Sequence, residues 1–297
     1  MRNKVCLFYR EKLRPKTGIR RQRLSTSGLI LENDLQPALV DRVEQTDWTA
    51  SEKAQQDHYN LIAPEYEEHY GDAASLEYRR RFIYEPMFDG LPLSGMKVLD
   101  AMCGSGQTTD YLVSRGAHVT GLDLSDEVIE RFRSRWVACS AVKRSILESG
   151  FSDNSFDCIS IVGGLHHMHP HLNEAISEVH RILKPGGHFC FMEPHTRSFP
   201  NLIRRIWYKH DRFFAPNEAA IDLVSMKEQF GSRFHFKRVT YLGNVAFLLV
   251  LNSLIFRIPV HFKPRYAPFL MSLEARLSRF QGKLNSCFAV GQWQKRA

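Results

Sequence analysis

The stretch VLDAMCGSGQTT, residues 98–109, does most to restrict what this chain can fold into. An apolar run ends on an acid, Asp100, and the chain then turns through Gly104 and Gly106. A strand that enters a glycine turn in this way lets backbone approach a ligand closely. The pattern continues downstream. AHVTGLDL reads as a second strand, followed by Ser125 as N-cap with Asp126 and Glu127 in the first helical turn, where acids complement the helix dipole. Ile129, Phe132 and Trp136 recur at helical spacing, and SAVKRSIL and FDCISIVGG supply third and fourth strands. Leu172, Ile176, Val179 and Leu183 mark another helix, closed by KPGG, and HFCFMEP is a fifth strand. Strands alternating with helices predict an α/β, doubly wound, mostly parallel sheet whose ligands sit at the carboxyl ends of the strands.

Composition sets the class only loosely, but charge is informative once located. Residues 1–25 hold nine basic side chains against Glu11, a local +8 that equals the net charge of all 297 residues. The remainder is formally neutral, so a basic pI describes a leader and says little about a binding surface. Residues 1–50 are expected to be a solvated basic leader, with a transit peptide or an anionic-surface handle as alternatives. Residues 51–95 read as N-terminal cap helices, 96–243 as the core, 244–284 as an apolar helical insertion and 285–297 as a final strand and tail. Six cysteines without CxxC pairing and the lack of a signal peptide point to a reducing, cytoplasmic setting. The most apolar window, residues 245–256, is too short to span a bilayer.

Asp123 ends the second strand, where a carboxylate accepts bonds from both hydroxyls of a ribose. A dinucleotide site would place its third glycine at Thr109, and the charge of Asp100 would oppose a pyrophosphate. The ligand so described has a ribose and a positive charge and lacks a phosphate.

In these motifs, together with FSDNSFD and LKPGGHFCFMEP, the chain resembles a class I S-adenosylmethionine-dependent methyltransferase of the small-molecule type over residues 55–243 and again near the C-terminus. The resemblance implies a Rossmann-like fold with an antiparallel last strand and S-adenosylmethionine as cofactor. It puts Asp100 near the cofactor's amino group, Gly104 and Gly106 around its methionine portion, Asp123 on the ribose, and Leu124 with Ser145 and Ile146 at the adenine. Two departures stand out. Met102 replaces the family's first glycine, and Ser145 stands where many relatives carry an acid.

GGLHHMHPH, residues 163–171, follows the fourth strand, a place that the resemblance implies faces the transferred methyl group. A metal site is not expected, since Pro170 interrupts helical ligand spacing and no CxxC or HExxH partner is present. Either the histidines line the pocket, or one of His167, His166 and His195 acts as a base toward a protonated acceptor. Tyr59 and Tyr66 belong to a segment that closes over the cofactor or simply packs. The insertion is unusual between the last two strands. Leu270, Leu273, Leu277 and Phe280 form its helical stripe, as a buried layer, an acceptor lid, a dimer contact or a membrane-docking face. The expected activity is methyl transfer to an oxygen or nitrogen of a small, apolar or lipid-linked molecule. The alternatives are an RNA or protein methyltransferase guided by the leader, and a cofactor-binding module without turnover. With no [DN]PP[YFW] motif after the fourth strand, nucleic acid is not the expected partner.

Overall fold

The computed structural model describes residues 53, 56–57, 65–208 and 218–297; the basic leader and Tyr59 lie outside the described residues. Seven strands form one sheet: β1 Lys97–Ala101, β2 His118–Asp123, β3 Ser140–Lys143, β4 Phe156–Val162, β5 Leu183–Glu193, β6 Phe234–Leu242 and β7 Phe288–Lys295. Their order is β3-β2-β1-β4-β5-β7-β6, and only β7 runs against its neighbours. The chain winds outward from β1 through β2 to β3 and then crosses back to β4. That reversal opens a crevice at the carboxyl ends of β1 and β4, where open α/β sheets bind ligands.

Side chains alternate across each strand, so neighbouring residues feed different cores. Val98 and Cys158 join one core, and Leu99 and Ile159 join the other. The second is closed by α5 (Leu172–Ile182) and α7 (Leu223–Phe230), with Ile176, Val179 and Phe230 packed against Phe189 and Trp293. The Ser125 side chain caps α4 (Asp126–Arg135) by accepting from the Val128 amide, as its sequence predicts. The KPGG segment departs from the expectation. It lies within β5, and the β4–β5 register shifts between Phe156 and Cys158, where Gly186 at φ +76° lets the strand absorb extra residues as a bulge.

The first core is covered by α1 (Ala73–Arg79), α2 (Glu85–Phe88) and the insertion. Ala246, Val250, Leu251 and Leu254 are buried there beside Tyr78 and Phe82, which makes the apolar window an added layer of the core. The stripe expected on α8 (Lys263–Leu277) is rotated from its place. The buried face carries Lys263, Ala267, Met271 and Glu274, while Leu277 and Phe280 are exposed. Two charges occupy that face because α1 and its surroundings satisfy them. The Lys263 ammonium donates to Asp72 Oδ2 at 2.5 Å and to Ser75 Oγ at 2.8 Å. Glu274 accepts from the Tyr78 hydroxyl at 2.8 Å and from the backbone amides of Asn244 and Ala246. Removing one member of a buried pair leaves the other charge uncompensated. Lys263→Met, which keeps the apolar stem, is therefore expected to lower stability by about 3 kcal/mol in urea unfolding. An unchanged midpoint would mean that Asp72 finds water or another partner.

Candidate active site

The crevice is a cavity of about 200 Å³ lined by residues from the ends of β1, β2 and β4. Asp100 lies at its base, 1% exposed, and accepts from the Thr109 hydroxyl at 2.7 Å and the Ser160 hydroxyl at 3.3 Å. Among the described residues no cationic side chain forms an ion pair with it. Burial pushes its carboxyl up to about 7, although the two hydroxyl bonds pull it back toward the usual range. Asp123 accepts from the amides of Gly104 at 3.0 Å and Ser125 at 3.1 Å, and burial likewise raises its pKa.

The turn between them is held by backbone geometry. Gly106, at φ +87°, caps α3 (Gln107–Ser114), and a Cβ there would stand 2.2 Å from the Trp136 ring nitrogen. Met102 adopts φ +56°. It enters the left-handed region without a glycine's freedom. Its side chain lies against Gly164, where an added Cβ would meet the Met102 sulfur at 2.6 Å.

Asp100, Gly104, Asp123, Leu124, Ser145, Ile146 and His167 all line the one cavity. Gly106 supports the turn behind it. The opposite end is built by a 3-10 turn, Leu165–His167, that follows β4. Glu193, fully buried at the end of β5, organises that turn: it accepts from the amides of Gly164 and Leu165 at 2.7 Å and shares a hydrogen bond with His166 Nδ1 at 2.7 Å. Burial pushes Glu193 up to about 8, against the pull of the backbone amides. His166 is held well below its ordinary pKa by burial, by Arg204 and by His169, so its neutral form is favoured. Its ring lies 3.9 Å from that of His167. Both rings approach Glu218, with His167 Nδ1 at 3.5 Å and His166 Nε2 at 4.0 Å from its oxygens.

His195, also expected among the candidate bases, is elsewhere. It is buried outside the cavity lining, with Nδ1 at 2.7 Å from the Thr196 carbonyl, Nε2 at 2.8 Å from Ser286 Oγ, and the Tyr241 ring 5.0 Å away. It follows the end of β5, and both ring nitrogens have structural partners. Sequence reasoning also missed several groups. Arg79 lines the cavity from α1, buried over the Tyr70 ring and near the hydroxyls of Tyr66 and Tyr84. Glu67 accepts from Ser105 Oγ at 2.5 Å. Nothing marks Arg79 among the three arginines at 79–81, and Glu218 stands more than fifty residues from His166 in the chain.

Residues 98–187 match the family described as methyltransferase domain. An uncharacterized methyltransferase of Synechocystis sp. is 39% identical over 121 residues, covering 38% of this chain and 57% of that protein. A demethylmenaquinone methyltransferase of Staphylococcus epidermidis is 30% identical over 173 residues, covering 55% of this chain and 70% of that protein. Among solved structures, a SAM-dependent methyltransferase from Archaeoglobus fulgidus shares the fold, with a TM-score of 0.53 at 17% identity over 77% of this chain and 97% of that one. These similarities and the glycine-turn crevice define a methyl-transfer fold. The chain belongs to the class I S-adenosylmethionine-dependent methyltransferases, whose cofactor is S-adenosylmethionine. It spans 57% of the Synechocystis protein and about half of a Staphylococcus aureus demethylmenaquinone methyltransferase.

Proposed function

We propose that the protein transfers a methyl group from S-adenosylmethionine to an oxygen or nitrogen of a small, apolar acceptor. The observation that carries this reading is the Asp100 carboxylate, buried on the cavity wall without a cationic partner among the described residues. Such a group calls for a cationic ligand. The donor set fits the cofactor. Asp100 faces its cationic amino group, and Asp123 has lone pairs left for the ribose hydroxyls beyond those used by two amides. Leu124 and Ile146 offer apolar contact to the adenine, with Ser145 beside them, and Arg79 provides a charge for the carboxylate. When bound, the cofactor supplies a methyl group activated by its sulfonium. The chain's own residues bind and orient it, exclude water and position the acceptor.

Three features support an apolar acceptor. Met102, Val162 and Met168 line the histidine end of the cavity. One relative is named for a demethylmenaquinone activity. The helix α6 (Phe199–Tyr208) leaves Phe199, Leu202, Ile203 and Ile206 exposed, an apolar face suited to a lipid surface. No helix among the described residues is long and apolar enough to cross a membrane. At the acceptor end His167 orients the accepting atom, with Glu218 3.5 Å from its Nδ1.

The test is transfer of labelled methyl from S-adenosylmethionine into a host extract, followed by separation into organic-soluble, small aqueous and macromolecular fractions. Label is expected in the organic fraction and is expected to vanish with Asp100→Ala. Label confined to macromolecules would overturn the reading in favour of a protein or RNA substrate. For Asp123→Ala, calorimetry is expected to show cofactor binding weakened by about 1.5–3 kcal/mol, the scale of a hydrogen bond to a charged group. Unchanged affinity would remove Asp123 from the ribose.

A further inference from the structure

We propose that His166, His167 and Glu218 form a binding site for a divalent first-row transition ion, of the Zn²⁺ type, at the acceptor end of the cavity. The proposal deepens the reading above, since the ion would sit where the acceptor is positioned.

The three residues offer one ligand atom each, all within 4.8 Å of one another. His167 Nδ1 is 3.5 Å from one Glu218 oxygen, and His166 Nε2 is 4.0 Å from the other. Ligand atoms held ~2.0–2.1 Å from a tetrahedral ion stand roughly 3.3 Å apart, so an ion would draw these atoms together from separations of up to 4.8 Å. Two imidazoles and a carboxylate suit zinc among the divalent ions, and three protein ligands leave a fourth position open.

The surroundings of His166 are those of a metal ligand. A coordinating histidine commonly gives its second ring nitrogen to a carboxylate, which fixes the tautomer and the ring. Here Glu193 takes His166 Nδ1 at 2.7 Å and leaves Nε2 to face Glu218. Glu193 is itself anchored by the amides of Gly164 and Leu165, so the orientation comes from the backbone of the turn. His169 and Arg204 also lie near enough to influence His166. The carboxylate of Glu218 offsets part of the ion's charge, while Arg204 near His166 works against it. Of the three residues His167 lines the cavity, so the site adjoins its wall through that ring. An oxygen of the acceptor would complete the coordination there. Neighbouring histidines on a tight turn do not form a helical ligand pair, so this geometry depends on the distant Glu218.

The experiment uses full-length protein stripped with a chelator, then titrated with Zn²⁺ by calorimetry and with Co²⁺ by visible absorption. One ion per chain is expected, with the intense visible bands of a Co²⁺ ion of low coordination number. Glu218→Gln, which keeps the size of the side chain, is expected to weaken Zn²⁺ binding at least tenfold and quench the Co²⁺ bands. His167→Ala should do the same, and His261→Ala, in an exposed histidine, should change neither. Thermal melts of each variant distinguish loss of the site from loss of the fold. Absence of saturable binding by the wild type would overturn the site, as would binding that a folded Glu218→Gln variant retains. Both readouts are independent of methyl transfer. Metal bound without transfer to any fraction would sink the proposed function and leave the site standing, and transfer by a protein that takes up no metal would do the reverse.

Discussion

Gly106→Ala is expected to abolish cofactor binding and to lower the melting temperature by roughly 5–15 °C. Two costs combine. An L-residue held in a left-handed conformation loses about 1–2 kcal/mol, and Gly106 sits at φ +87°. The added Cβ would also stand 2.2 Å from the Trp136 ring nitrogen and 3.3 Å from the Phe132 ring, an overpacking that costs about 1–3 kcal/mol. Relief requires the turn that carries Gly104 and Ser105 to move, and those residues line the cavity. Gly90 provides the control: at φ +79°, and with nothing within 4 Å of the place a Cβ would take, Gly90→Ala bears the conformational cost alone and should leave cofactor affinity intact. Calorimetric titration of both variants with S-adenosylmethionine checks this. Equal affinities would show that the turn does not shape the site.

Asp100→Asn is expected to have opposite effects on stability and on binding. A carboxyl raised to about 7 in the fold, from about 3.9 in the unfolded chain, takes up protons more readily when folded. The ligand-free fold is therefore weakened as pH rises from about 4 through 7, and that loss is complete above 7. Asparagine removes the buried charge, so the ligand-free variant should be more stable than wild type at pH 8, by on the order of 2 kcal/mol. Cofactor affinity should fall by about 1.5–3 kcal/mol in the same variant, because the charge proposed to face the amino group is gone. In the wild type, affinity should decline as pH drops below about 7, where Asp100 takes a proton, approaching tenfold per unit. The variant should lack this component of the profile. Thermal melts and calorimetry across pH 5.5–8.5 measure both effects, and identical pH profiles would mean that Asp100 does not meet the cation.

The strands and the glycine-turn end of the cavity are legible in the chain because they obey local rules. The Gly104–Gly106 turn, Asp123 at the end of β2 and Ser125 as N-cap each follow from residues within a few positions of one another. What the chain hides depends on distant partners. Lys263 and Glu274 lie outside the stripe expected on α8, yet they are buried because Asp72, Tyr78 and backbone amides meet them. The helical stripe is displaced for the same reason. His166 and His167 are visible as a cluster, but their meaning depends on Glu193 and Glu218, which only the fold brings close. His195 looks equivalent in sequence and is held by Ser286, a residue ninety-one positions away.

The most direct test of the account is calorimetric titration of the purified protein with S-adenosylmethionine at pH 8, beside an Asp100→Ala/Asp123→Ala double variant whose fold is verified by circular dichroism. One-to-one saturable binding that the double variant loses is the predicted result. A wild type that does not bind, or a folded double variant that binds equally well, would contradict it.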